Sequence, residues 1–165
     1  MPPKTMIVVG WTERVGLPDL GLTDLKAKID TGARTSALHA DRIERFEKDG
    51  APWVRFRVRH DAAQARVTLE HPVRDVRAIK NTSGVPEERI VIRTPLLIAG
   101  HRWLIDLSLT DRSNMRLAMI VGRTALARHN VAVHTRRVNV AGIEARPLPR
   151  DGEIAAAPER RRKAT

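Results

Sequence analysis

The chain of 165 residues has no cysteine and no tyrosine, and its aromatic residues are limited to three Trp and two Phe. Without cysteine, disulfides and thiolate metal sites are excluded, and the redox compartment cannot be read from pairing; the expected cytoplasmic location is merely permitted by this. With so few rings the core must be built from Val, Ile, Leu and Ala, whose β-branched members favour strands. Long apolar runs are also missing. Residues 6–9 are far too short for a signal-peptide core, and no stretch approaches the roughly eighteen apolar residues of a membrane span, so no membrane partner is expected. Acidic residues are comparatively scarce. The balance of 30 basic against 19 acidic residues gives a net charge of +11, which favours polyanionic partners such as nucleic acid or acidic peptide. The length, with 42% hydrophobic residues, suits one domain.

What is present is a succession of short apolar runs punctuated by turns. Residues 6–11 read as a first strand, followed by a loop marked by Gly16, Pro18 and Gly21. The apolar alternation over residues 25–29 then delivers Asp30 onto the small-residue turn Thr31-Gly32-Ala33, where backbone can approach a ligand closely. Residues 36–46 read as extended chain closed by an Asp49-Gly50 hairpin turn. Val54, Phe56 and Val58 alternate with Arg55, Arg57 and Arg59, as in an antiparallel strand with its cationic face outward. Residues 65–69 and 73–79 are two shorter runs. Residues 76–93 are expected to form a long projecting hairpin with a polar tip at 81–88. A second hairpin is expected to turn at Gly100-His101, with Ile105, Leu107 and Leu109 facing the core. Residues 117–121 form a short apolar strand that feeds Gly122-Arg123 and one or two helical turns over 124–128, with Thr124 as the cap. Val131, Val133, Val138, Val140 and Ile143 supply closing strands. A structured domain is expected over residues 1–148, and residues 149–165 form a basic tail of disordered composition.

Two of these segments resemble the retropepsin-like aspartic proteases. Ile29-Asp30-Thr31-Gly32-Ala33 resembles their catalytic signature, and residues 119–126, Met-Ile-Val-Gly-Arg-Thr-Ala-Leu, resemble the second signature of apolar residues, Gly-Arg and a short helix. Residues 96–110 are similar to the hairpin preceding that motif in viral members. More narrowly, Gly10-Trp11, residues 28–40, residues 81–89 and residues 114–126 resemble the bacterial RimB-like group, labelled ATP-dependent zinc proteases and often encoded beside a glutamate ligase of the RimK kind. The resemblance implies an all-β, retropepsin-like closed barrel with a flap hairpin and one short C-terminal helix.

It also implies a chemistry. Aspartic proteases use two carboxylates that share one proton, because like charges a few Å apart cannot both ionise. The ionised member takes a proton from the attacking water, and the protonated member bonds the peptide carbonyl. This chain has a single Asp-Thr-Gly, and Asp106-Leu107-Ser108 lacks the glycine and lies inside a strand. The resemblance therefore implies a homodimer in which Asp30 pairs with its mate across a two-fold axis. Asp30, Thr31 and Gly32 are the implied catalytic set. Thr31 would bond across the axis, or alternatively cap its own turn. Gly122 and Arg123 form a structural second motif, in which Arg123 would brace the helix by ion pairing.

Ser83 and Gly84 would sit at the tip of the flap, a mobile cover over the substrate. Arg34, Lys80, Arg89, Arg93, Arg112 and Arg116, with Ala33 beside them, are expected to make a cationic substrate cleft. The expected substrate is a glutamate-rich peptide or a glutamate-tailed protein, ribosomal proteins included; a merely solvated basic face is the alternative. No metal and no cofactor is expected. The two-His zinc motif is absent, the six His are scattered, and no Gly-rich loop ends in Gly-Lys-Ser/Thr. The competing function is a basic β-barrel that binds ribosomal RNA through Arg55, Arg57, Arg59 and the basic tail without catalysis.

Overall fold

The computed structural model describes residues 5–60, 65–80, 83–111 and 116–141. Arg112, Ile143 and the tail at 149–165 lie outside these. Period-two alternation builds the first two strands, β1 (Ile7–Leu17) and β2 (Leu22–Asp30), joined through a 3-10 turn at Pro18–Leu20. Along β2 the side chains of Leu25, Ala27 and Ile29 are buried while Lys26 and Lys28 are exposed, so Asp30 emerges on the lysine face. The expected loop at Gly16 lies instead in β1. Gly16 pairs with Leu97, and that pairing closes the sheet.

β3 (Ser36–His39) and β4 (Asp41–Lys48) divide at Ala40 the extended chain expected over 36–46. β5 (Ala51–His60), β6 (Ala65–Pro72), β7 (Asp75–Lys80), β8 (Pro86–Ile98), β9 (His101–Thr110) and β10 (Met119–Gly122) follow, then helix α1 (Arg123–Ala127) and β11 (Val131–Val138). The large sheet runs β11-β1-β2-β10-β3-β9-β8-β7, and the β1–β8 contact joins its inner six strands into a closed barrel. Closure removes the free edges that would otherwise recruit other chains. The smaller sheet, β4-β5-β6, lays Val54, Phe56 and Val58 onto the same core as Val9, Leu25, Leu38, Ile92 and Leu107. Full burial of each large aliphatic side chain contributes about 1.5–3 kcal/mol. No helix among the described residues is long and apolar enough to cross a membrane.

Turn chemistry sets the registers. At the β4–β5 hairpin Asp49 and Gly50 both take left-handed φ, 52° and 75°, as expected for an Asp-Gly turn. The β8–β9 turn uses Ala99 and Gly100, with φ of 51° and 74°, one residue earlier than the expected Gly100-His101. Ile98 then faces His101, and this register turns Trp103, Ile105 and Leu107 inward; a one-residue slip would present them to solvent. Residues 86–90 of β8 pair with β7 and not with β9, whose pairing begins at Val91, so the β7–β8 ribbon projects beyond the barrel wall.

Helix α1 is capped differently from expectation. Gly122 is its N-cap, and the Thr124 hydroxyl donates to the Arg34 carbonyl, because that carbonyl lies beside the helix start. The closing strand β11 lies parallel to β1, and Val140 falls beyond it. Glu13, fully buried, holds the following segment: its Oε1 accepts from the backbone N–H groups of Gly10, Val140 and Ala141 at 2.7, 2.7 and 3.0 Å.

Candidate active site

The Asp-Thr-Gly turn is positioned by strand β10, which slots between β2 and β3. It runs parallel to β2 and brings Val121 beside Ile29 and Gly122 beside Asp30. Asp30 therefore ends its strand at the level where the second motif ends its own. Asp30 Oδ1 accepts from the Gly32 N–H at 3.0 Å, and the Ala33 N–H donates to the Asp30 carbonyl at 3.3 Å, so the turn orients its own carboxylate. The remaining oxygen, Oδ2, lies 3.8 Å from Lys28 Nζ.

The second motif clamps this turn. The Arg123 N–H donates to the Ala33 carbonyl at 2.7 Å and its Nη1 to the Thr31 carbonyl at 3.0 Å. The brace expected from an ion pair is thus made by a guanidinium on a carbonyl, since no acid among the described residues pairs with Arg123. The Gly122 N–H donates to Ser36 Oγ at 3.0 Å, while the Ser108 hydroxyl donates to the Ser36 carbonyl at 3.0 Å. A Cβ on Gly122 would stand 2.6 Å from the Thr35 carbonyl carbon, so glycine is required by close backbone approach.

Asp30 opens into a cleft of about 900 Å³. Gly32, Ala33 and Arg34 form one side, Arg77, Lys80 and Arg89 the ribbon side, Arg93, Leu104 and Asp106 the barrel wall, and Arg128 and His129 the far end. Arg34, Lys80, Arg89 and Arg93 are thus brought together with Asp30. Ser83 and Gly84 are exposed near the ribbon tip and do not line the cleft, and Arg116 lines a different cavity.

Electrostatics within the cleft are uneven. Arg77 donates to Asp75 at 2.7 Å and to Asp106 at 2.8 Å, and Arg93 donates to Asp106 at 3.0 Å. Burial pushes the Asp106 carboxyl up, but the hydrogen bonds and charges of Arg93 and Arg77 outweigh it and hold the group below its ordinary value. The hydrogen bonds that Arg77 donates to Asp75 and Asp106 raise its own value in turn. Arg89 is buried, and among the described residues it has only a 3.3 Å contact to Glu87 and no partner for its Nε. Arg34, Lys80 and Arg128 have no acidic partner among the described residues. The cleft therefore carries a surplus of unneutralised positive charge facing one open carboxylate.

Arg77, Arg128, His129 and the pairing role of Asp106 were not read from the sequence. Counting outward from the β8–β9 turn would have found Asp106 opposite Arg93, but only with the turn at Ala99-Gly100. Elsewhere, the basic strand considered for RNA is largely neutralised. Arg55 pairs with Glu70 at 2.8 Å and Arg57 with Asp41 at 2.6 Å, while Trp53 and Phe46 are covered by Lys48 and Arg55.

The closed six-stranded barrel, the Asp-Thr-Gly turn and the Gly-Arg clamp define an aspartic-endopeptidase type of fold. The family model described as retropepsin-like aspartic endopeptidase RimB matches residues 8–143, and the chain belongs to this RimB-like family. It is 42% identical over 121 residues to a probable alpha-L-glutamate ligase of Desulfotalea psychrophila, and 43% identical over 123 residues to one of Parasynechococcus marenigrum. These alignments cover 72% and 73% of the chain but 26% of each relative, so the chain spans about a quarter of their length. Among solved structures, a Legionella pneumophila protein of unknown function superimposes with a TM-score of 0.70 at 27% identity, covering 82% of this chain and 98% of that one. Among the described residues no three His, Asp or Glu side chains cluster to hold a metal ion.

Proposed function

We propose that the protein is an aspartic peptidase, active as a homodimer, that hydrolyses peptide bonds in a glutamate-rich peptide or protein tail. The observation that carries this reading is Asp30, held open at the floor of a cleft whose other titratable side chains are mainly cationic. One chain contributes one such carboxylate, so the reaction needs the partner's Asp30 across a two-fold axis. The pair shares a single proton. The ionised carboxylate takes a proton from water as its oxygen bonds the peptide carbonyl carbon, and the protonated one gives its proton to the carbonyl oxygen. Collapse of the tetrahedral intermediate breaks the C–N bond, the amine leaving with a proton from the dyad.

The β7–β8 ribbon would close over the substrate as a flap, with Gly84, at φ 76°, allowing its tip to bend. Arg34, Lys80, Arg89 and Arg93 would receive substrate carboxylates, and the under-satisfied, buried Arg89 gains most from such a partner. The match to part of proteins named as glutamate ligases supports a glutamate-containing substrate. A cysteine-free chain suits work in the cytoplasm.

The test is cleavage of oligo-glutamate and of a neutral peptide by the wild type and by Asp30→Asn, with molecular mass followed by sedimentation. Asp30→Asn should leave the fold intact and lower turnover on the order of 10³-fold or more. Undiminished turnover in this variant would refute the dyad, and equal rates on the two peptides would refute the acidic specificity.

A further inference from the structure

A second cavity, of about 390 Å³, is lined by five cationic side chains that reach it from four places in the chain. Lys26 comes from β2, Arg57 and Arg59 from β5, Arg66 from β6, and Arg116 from the residues before β10. Between them lies an apolar floor that includes Leu25, Leu38 and Val58. Asp41 is the one carboxylate in the lining among the described residues, and it is already committed. Its Oδ1 accepts from Arg57 Nε at 2.6 Å, and its Oδ2 accepts from Arg57 Nη2 at 2.7 Å and from Arg66 Nη1 at 3.0 Å.

That leaves Lys26, Arg59 and Arg116 with no acidic partner among the described residues. The arrangement is costly as it stands. Arg59 and Arg66 are direct cross-strand neighbours on β5 and β6, a position where like charges destabilise a sheet. A shared counter-ion would turn that repulsion into a two-sided grip, since guanidinium groups present paired donors that match phosphate and carboxylate oxygens.

We propose that this cavity is a second binding site, distinct from the cleft, for a small oxyanion ligand carrying two or more phosphate or carboxylate groups. One group sits between Arg59 and Arg66, and another meets Lys26 and Arg116 on the barrel side. The volume lies within the range of small-molecule sites. The site is separate from the chemistry. Lys26 precedes Asp30 by four residues of extended chain, about 13 Å at strand rise. On β3, Ala37 lines the cleft whereas Leu38 lines this cavity. The inference does not depend on the peptidase reading.

Calorimetric titration of the full chain at low ionic strength, with pyrophosphate in one series and citrate in the other, tests the assignment. Saturable binding of at least one anion is expected. It should weaken roughly tenfold in Arg59→Ala and likewise in Arg116→Ala, and persist in Arg34→Ala. Neither Arg59 nor Arg116 supports an ion pair among the described residues, and thermal melts verify that both variants remain folded. The tighter of the two anions identifies the ligand as phosphate or carboxylate in kind. Absence of saturable binding in both series overturns the proposal, as does binding lost in Arg34→Ala but unchanged in Arg59→Ala, which would put the anion in the cleft.

Discussion

The two turns that floor the cleft reach the same level of the barrel and are built in opposite ways. After β2, the Asp30 turn is small-sided and lines the cleft, with one carboxylate oxygen held by the turn's own backbone and the other 3.8 Å from Lys28. After β10, the Gly122 turn is buried against the backbone of Thr35 and Ser36 and spends its hydrogen bonds on the first turn. Chemistry and support are thereby divided between two segments far apart in sequence but paired residue by residue in parallel strands. A reactive group can then sit on a loop without the loop being loose.

Paired glycine substitutions should break this contrast most visibly. Gly122→Ala would drive a Cβ to 2.6, 2.8 and 2.9 Å from main-chain atoms, which cannot yield as a flexible side chain would. A loss of about 3 kcal/mol is expected, lowering the melting temperature by roughly 6–12 °C. Gly32→Ala meets only Asp30 Oδ1, at 3.2 Å, and should lose less than about 1 kcal/mol while reducing turnover by crowding the carboxylate. Equal melting temperatures for the two variants would show that the division is not real.

The next effect in size belongs to Ser36, whose hydroxyl accepts from the Gly122 N–H of the supporting turn. Ser36→Ala removes the acceptor of the buried Gly122 N–H and should cost about 1–3 kcal/mol in denaturant melts. Arg123→Ala removes a more exposed hydrogen bond to the Thr31 carbonyl and should cost about 1 kcal/mol. If Arg123 positions the turn, its loss lowers kcat with KM little changed, and Arg123→Lys restores part of it; a purely structural role would leave kcat alone in protein that remains folded.

Much of the local architecture was legible in the chain. Val54, Phe56 and Val58 announce a half-buried strand, Asp49-Gly50 a hairpin, and the apolar alternation ending at Asp30 a carboxylate on a turn. The partners of those strands were less so. A period of two says that a segment is a strand and which face is inward, but not that β10 enters between β2 and β3, which is a matter of long-range packing. The target of Arg123 was hidden for the same reason, since it depends on that insertion. Glu13 was illegible for another reason: nothing local marks a glutamate that will be buried on three backbone N–H groups supplied partly by residues 140 and 141. The β8–β9 register failed by one residue because Ala, rather than Gly, occupies the first left-handed position of the turn.

The cleft's two carboxylates among the described residues repeat the division of labour, and the smallest of these effects is the pH response of the committed one. Asp30 is left open for chemistry, whereas Asp106 is committed to Arg77 and Arg93. Because the folded-state value of Asp106 is depressed, its contribution to stability is fully present above the unfolded value near ~3.9 and is lost as pH falls through the folded one. Asp106→Asn should therefore be less stable than the wild type by about 1 kcal/mol at pH 7 and by the same amount at pH 5. The gap should narrow as melts are repeated below pH ~4, where the wild-type carboxylate takes up its proton and loses the advantage that asparagine lacks. A gap that stays constant as the pH falls below ~4 would show that Asp106 is not held by its two arginines.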